Sequence, residues 1–260
     1  MEFPVSELHN KVCLVTGASR GLGFVIARTL ARQGAAVAVH YHRAEAQALA
    51  LCAELAAGNA SAIPVQANLL DADAIEALMA GVTARLGPID ILVNNVGPYV
   101  DAPFLDLSLS EYDLVMDGNV RATFLLSQLA GRAMRTRGAG RIINLAATDY
   151  RHRSHSVYGL AKAGVVHLTE ALAMELAPAV QVFAVAPDLI ADNEDMTPDF
   201  VERAIAATPM RRLVTRAEVA TIVWLLCSPA FDMLTGQTFV MDGGRSLPRI
   251  ADGGALLHAS

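Results

Sequence analysis

The chain has 260 residues, 53% of them hydrophobic, and carries 20 basic against 26 acidic side chains for a formal net charge of −6. This length suits one α/β domain over 1–260 with a large core, and the negative balance leaves no global basic field to attract nucleic acid. No apolar run approaches the length of a membrane span, so a membrane partner is not expected.

Cys13, Cys52 and Cys227 are far apart and odd in number, which points to a reducing, cytoplasmic compartment. The first seven residues carry acids and no basic-then-apolar pattern, so they do not read as a signal peptide.

Strand patterns fall near 11–16, 36–41, 62–66, 89–94, 140–146, 180–186 and 237–241. Helix patterns fall near 21–33, 43–57, 71–86, 110–136, 156–177, 198–207 and 216–227. This alternation predicts a doubly wound parallel sheet with helices on both faces. Ligands of such sheets bind beyond the carboxyl ends of the strands, where the strand order switches.

The apolar run from Val12 to Val15 opens into Thr16-Gly17-Ala18-Ser19-Arg20-Gly21-Leu22-Gly23. Glycines at 17, 21 and 23 permit positive φ and let the backbone approach a ligand closely. The helix that starts at Leu22 points its free N–H groups and positive dipole end at this turn. Gly17, Ser19, Arg20, Gly21, Leu22 and Gly23 are therefore candidates to hold a pyrophosphate.

The second strand ends in His40-Tyr41-His42-Arg43, where an acid would hold a ribose hydroxyl and a base a 2′-phosphate. There is no acid, and Arg20 can approach the same corner as Arg43, so NADPH is favoured over NADH. The alternative is that Arg43 only starts a solvated helix. His40 and His42 share no visible third ligand, so no metal is expected. After the third strand, Asn68-Leu69 either meets an adenine edge or forms a capping turn before Asp71.

The fourth strand runs into Asn94-Asn95-Val96-Gly97. Asn95 can tie neighbouring strands, and Val96-Gly97 brings the backbone close to the cofactor. Tyr99 belongs to a loop that either walls a substrate pocket or packs locally. Asn119 lies within a helical pattern; such an amide holds a water or kinks the helix by inserting into its backbone ladder.

Tyr158 and Lys162 are four apart and share a helical face. A free tyrosine titrates near pH ~10, and a nearby ammonium is expected to lower that value. The pair then forms a general acid that sits beside a hydride donor.

Thr16-Gly17-x-x-x-Gly21-x-Gly23, Asn94-Asn95-x-Gly97, Asn119 and Tyr158-x-x-x-Lys162 stand in order and together resemble the short-chain dehydrogenase/reductase superfamily. The resemblance implies a Rossmann fold of about seven strands, a nicotinamide cofactor and a homotetramer. It places Pro187, Asp188 and Ile190 beside the nicotinamide. Within the superfamily the chain looks most like pteridine reductases, through Val39-His40-Tyr41-His42-Arg43-Ala44, Asp192-Asn193-Glu194-Asp195-Met196-Thr197-Pro198 and Asp242-Gly243-Gly244-Arg245-Ser246-Leu247-Pro248-Arg249. That likeness implies NADPH and makes Arg249 a contact to a neighbouring subunit's pocket.

Three departures from the superfamily pattern stand out. Ala147 occupies the position of the catalytic serine, with Thr148 or Asp149 as its substitute. Losing one donor to a developing alkoxide costs ~10²–10³ in rate, whereas C=N reduction tolerates the loss better. Asp188 replaces a glycine after Pro187; it either binds a cationic substrate or faces solvent. Arg151-His152-Arg153-Ser154-His155 either attracts an acidic substrate or is a solvated loop.

The expected activity is NADPH-dependent hydride transfer to a C=N or C=O bond of a small, pteridine-like substrate. Tyr158, Lys162, Asn119 and Asp149 are its catalytic candidates, and Tyr99, Ala147, Asp188 and Arg249 its substrate contacts. The rivals are a biosynthetic imine or carbonyl reductase and a cofactor-binding protein that steers cyclisation or isomerisation without net redox.

Overall fold

A computed structural model describes residues 8–150, 156–193 and 196–247. Short, buried, apolar runs form β1 (Val12–Val15), β2 (Ala36–Tyr41), β3 (Ala62–Gln66), β4 (Ile91–Asn94), β5 (Gly140–Leu145), β6 (Val180–Pro187) and β7 (Thr238–Met241). They make one sheet in the order β3-β2-β1-β4-β5-β6-β7. Every neighbouring pair is parallel. This is the seven-stranded, Rossmann-type doubly wound arrangement expected from the alternation.

The helices are α1 (Gly21–Arg32), α2 (Glu45–Ala57), α3 (Ala72–Leu86), α4 (Leu109–Met116), α5 (Ala122–Arg137), α6 (Val157–Leu176), α7 (Pro198–Ala207) and α8 (Arg216–Leu225). A parallel pair needs a crossover of this kind, and a sheet covered on both faces needs strands apolar on both. One core joins α1, α2 and α8 to the sheet through Ile26, Leu30, Leu51, Phe183 and Val223. The other joins α3, α5 and α6 through Leu78, Leu92, Leu126, Met134, Ile142 and Leu176. No helix among the described residues is long and apolar enough to cross a membrane.

The expected helix over 110–136 is interrupted: Asp117–Arg121 forms a π-helical turn between α4 and α5. The cause is Asn119, whose Nδ2 donates to the Val115 carbonyl at 2.9 Å. A side chain that captures a ladder carbonyl widens the turn.

The strand order reverses between β1 and β4, so a crevice opens beyond their carboxyl ends. His40 fixes its near wall. The Gly17 N–H donates to His40 Nδ1 at 2.9 Å, and Nε2 lies 3.2 Å from the Ala67 carbonyl. This pairing makes Nε2 the protonated nitrogen and ties the ends of β1, β2 and β3 together.

Burial lowers the His40 pKa from 6.5 to about 4. Between these values the unfolded chain takes up a proton that the folded chain refuses, so stability falls as pH drops from 6.5 toward 4. The expected loss is about 3 kcal/mol, at about 1.4 kcal/mol per pH unit. Urea titrations across pH 4–7 should show this slope in the native protein. The slope should be absent from His40→Asn, which should also be less stable at pH 7. Parallel slopes would place the acid sensitivity elsewhere.

Candidate active site

The glycine turn has the conformation its sequence demands. Gly17 and Gly21 have φ of +62° and +58°, open to glycine without strain. A Cβ at Gly23 would overlap the Gly17 carbonyl oxygen and lie 2.6 Å from Asn95 Nδ2. α1 starts after Arg20 with no side-chain cap, so its first N–H groups are presented at the turn.

Two clefts meet at Gly97. The first, about 760 Å³, is bordered by Ser19, Arg20, His42, Arg43, Asn68 and Leu69. Arg20 and Arg43 are both exposed at its rim. His40 and Tyr41 also border it, but the His40 nitrogens serve the turn, and the Tyr41 hydroxyl donates to Glu45 Oε1 at 3.2 Å. Asn68 forms the turn before Asp71, its carbonyl accepting from the Asp71 N–H at 3.0 Å. Its Oδ1 accepts from the Leu70 N–H at 3.2 Å, while Asp71 caps α3 through the N–H groups of Asp73 and Ala74.

The second cleft, about 980 Å³, brings together Leu22, Asn95, Tyr99, Ala147, Asp149, Tyr158, Lys162, Pro187, Asp188, Ile190 and Arg245. Asn95 ties β4 to β1: Nδ2 donates to the Thr16 carbonyl at 2.9 Å, and its N–H donates to Thr16 Oγ1 at 2.8 Å. Val96 donates its N–H to the same hydroxyl at 3.1 Å. Asn119 Nδ2 also reaches the Pro98 carbonyl at 2.9 Å. Its Oδ1 is buried without a hydrogen-bond partner among the described residues.

Gly97 makes this convergence possible. A Cβ there would overlap Asn119 Oδ1 and lie 2.9 Å from Lys162 Nζ. Lys162 is buried and donates to the Leu145 carbonyl at 2.8 Å. Its ammonium lies 5.4 Å from the centroid of the Tyr158 ring. Tyr99 packs edge-on against Tyr158, with centroids 5.0 Å apart.

The electrostatics correct one expectation. Lys162 does not pull the Tyr158 pKa down; burial first, and then the Asp149 charge, push it up. Burial also lowers the Lys162 pKa to about 8, against the opposing pull of Asp149. Desolvation outweighs the ion–phenol attraction in this cleft.

The two substitutes for the missing serine separate. Thr148 is buried, and its hydroxyl is already engaged by a residue of the cleft wall, donating to Asp188 Oδ1 at 2.8 Å. Asp149 lines the cleft. Asp188 does not face solvent: its Oδ2 accepts from Arg245 Nη1 at 3.1 Å, and both side chains are largely buried. The sequence reading missed this pair, because Arg245 is 57 residues away along the chain. It also missed that His40 braces the glycine turn through its ring nitrogens. Arg249, Arg151, His152, Arg153, Ser154, His155, Glu194, Asp195 and Pro248 lie outside the described residues.

Residues 17–246 match the family described as enoyl-(acyl carrier protein) reductase. A 3-oxoacyl-[acyl-carrier-protein] reductase from Synechocystis sp. is 38% identical over 245 residues, which cover 92% of this chain and 98% of that one. A short-chain dehydrogenase/reductase from Serratia marcescens superposes with a TM-score of 0.88 at 30% identity, over 93% of this chain and 100% of its own. The chain belongs to the short-chain dehydrogenase/reductase superfamily. The FabG 3-oxoacyl reductase of Staphylococcus aureus is 35% identical over 90% of this chain and 97% of its own. A 7α-hydroxysteroid dehydrogenase complexed with NADH and a 7-oxo bile acid superposes with a TM-score of 0.87 at 30% identity, over 92% of this chain and 95% of its own. The superfamily is one of oxidoreductases that use a nicotinamide cofactor.

Gly97→Ala tests the crowding at the centre of the site. The added methyl should displace Asn119 and Lys162, lower turnover by roughly 100-fold and cost about 1–3 kcal/mol of stability. Steady-state kinetics and urea unfolding check both; unchanged turnover would show that this crowding does not matter to the chemistry.

Proposed function

We propose that the protein is an NADPH-dependent reductase of a C=N or C=O bond in a small molecule, with Tyr158 as the proton donor. The observation that carries this reading is a partly buried phenol, held protonated by its surroundings, in one cleft with a buried lysine at the carboxyl end of the sheet.

The residues fit a dinucleotide. The uncapped start of α1 and the bare glycines at 17, 21 and 23 suit a pyrophosphate beside Ser19, Arg20 and Leu22. Asn68 and Leu69 border the adenine end, and His42, Arg43 and Arg20 form the corner for a 2′-phosphate. Asn95, Val96, Gly97, Lys162, Pro187, Asp188 and Ile190 would hold the other half. When bound, the reduced nicotinamide supplies the hydride.

Tyr158 gives its proton from Oη to the nitrogen or oxygen of the acceptor. Lys162 then offers a positive charge to the phenolate left behind, and Asn119 Oδ1 is placed to accept from a water on a route to Lys162 Nζ. Ala147 offers no hydroxyl to a developing alkoxide. Asp149 acts on Tyr158 and Lys162 as a negative charge, so it serves an N–H or iminium better than an oxyanion. That asymmetry favours C=N over C=O. The names of the relatives describe oxo compounds, which keeps C=O reduction as the second reading. None of the relatives above is named a pteridine reductase, so a pteridine is one arm of the assay. Binding without consumption is the non-redox rival.

Exposed Leu105, Leu109, Tyr112, Leu114 and Phe124, on and before α4 and α5, support a homotetramer. The buried free thiols of Cys13, Cys52 and Cys227 fit a cytoplasmic setting.

Loss of reduced-nicotinamide absorbance should be followed with a cyclic imine, a dihydropteridine and a 3-oxoacyl thioester, using NADPH and then NADH. Consumption with NADPH and a preference lost in Arg20→Ala/Arg43→Ala are expected; NADPH bound but never consumed would overturn the reductase reading. Tyr158→Phe should lower turnover by about 10²–10⁴ and leave NADPH affinity intact, and retained turnover would reject the proton-donor role. The free enzyme's kcat/KM for reduction should fall as pH rises through about 8, where Lys162 loses its charge. A flat profile from pH 6 to 10 would remove Lys162 from that step.

A further inference from the structure

Tyr99 and Asp101 enter no step of the chemistry above, yet both line the catalytic cleft. They belong to the loop that follows β4 and the close passage at Gly97. Tyr99 is 59% exposed and packs into neither core. Its one ring contact is with Tyr158, edge-on at 5.0 Å. Its hydroxyl is hydrogen-bonded to the Asp101 carboxylate. Burial first, then the Asp101 charge and this bond, hold the phenol protonated, so it donates. Asp101 itself is exposed at the rim. Among the described residues no cation lies over the Tyr99 ring, and no basic side chain pairs with Asp101.

The charges of the cleft are unequal in number and in depth. Three carboxylates, Asp101, Asp149 and Asp188, line it with two cations, Lys162 and Arg245. Both cations are largely buried: Lys162 lies under Tyr158, and Arg245 meets Asp188. Asp149 adds its negative field to that of Asp101 at the Tyr99 ring. The rim therefore offers an aromatic face and a carboxylate with no opposite charge beside them. An aromatic face attracts a cation through its quadrupole, and an ammonium can also donate a charge-assisted hydrogen bond to a carboxylate. A phenol that donates to a carboxylate is polarised by it, which makes its ring the more attractive to a cation. Leu189, Ile190 and Phe200 also line the cleft, carry no charge and suit a carbon skeleton.

We propose that Tyr99 and Asp101 are specificity-determining residues that hold a positively charged amine of the substrate. The substrate class is then an amine-bearing carbonyl or imine compound whose charged nitrogen is not the atom reduced. The proposal rests on the reductase reading of the cleft, which sets the reacting bond at Tyr158. Because the Tyr99 ring stands edge-on to Tyr158, a cation on its face lies beside that bond and not at it.

The test uses two cyclic alcohols of one shape. One has a quaternary dimethylammonium opposite its hydroxyl, and the other a dimethyl carbon there. With reduced cofactor bound neither can react, so calorimetric titration of the NADPH-loaded full chain gives the ratio of their affinities. The native protein should bind the onium alcohol on the order of tenfold more tightly. Asp101→Asn and Tyr99→Leu should each lower this ratio by about threefold, Asp101→Asn/Tyr99→Leu should bring it to within about twofold of one, and Asp101→Glu should keep most of it. A loss of fold would weaken both alcohols and NADPH together, whereas loss of a cation site moves the ratio. Added salt should lower the native ratio and spare the neutral alcohol, and this series carries the test if a variant does not fold. A native ratio near one, a ratio indifferent to salt, no binding of the onium alcohol, or a tenfold preference that persists in the double variant overturns the proposal. A native protein that does not bind NADPH instead refutes the reductase reading.

Discussion

Everything at the site depends on how the ends of β1 and β4 are latched across the switch in strand order. Thr16 is the latch. Its hydroxyl accepts the N–H groups of Asn95 and Val96, and its carbonyl accepts the Asn95 amide. This leaves the glycine turn and the Asn95–Gly97 segment side by side, with Gly23 as the one residue small enough to sit against both. His40 clamps the other side of the same turn. Behind the latch, a buried chain runs from Ser127 through Asn94 and Asn144 to Thr169, with bonds of 3.0, 2.8 and 2.9 Å. It joins α5, β4, β5 and α6. A buried polar chain of this kind ties the four elements to one another, and α6 is the helix that carries Tyr158 and Lys162.

Within that frame the cleft is governed more by desolvation than by pairwise attraction. Tyr158 and Lys162 are both pushed toward their neutral forms by burial. Asp149 opposes this for the lysine and reinforces it for the tyrosine. The result is a phenol that keeps its proton beside an ammonium that readily gives one up. Giving up that proton leaves a phenolate that burial disfavours, so the Lys162 charge 5.4 Å from the ring is what can offset the cost.

Most of the architecture was legible in the sequence because it is written locally. Doubly apolar strands, a glycine turn with a helix behind it, and Tyr158 one helical turn from Lys162 are all short-range patterns. The break in the helix at Asn119 was legible only as an alternative, since one amide in a helical pattern does not say whether it captures a carbonyl. The bracing role of His40 and the pairing of Asp188 with Arg245 were not legible at all. Their partners, Gly17, Ala67 and Arg245, are brought to them by the order of the strands. Asp188 read as an anomaly for the same reason: the residue that explains it belongs to another strand end.

The absence of a hydroxyl at Ala147 draws these strands together. A site built to stabilise an oxyanion needs donors around the reacting atom. The nearest hydroxyl in sequence, Thr148, is turned away to Asp188, and the cleft offers Asp149 instead. Among the polar groups that line this cleft, Tyr158 and Lys162 can donate and Asp149 can accept. A substrate that carries an N–H can donate to such a carboxylate, while the oxygen of a ketone gains no hydroxyl from Ala147. Thr148 meanwhile ties the turn at 147–149 to Asp188, the residue that Arg245 also meets, so the two strand ends and this turn are held together.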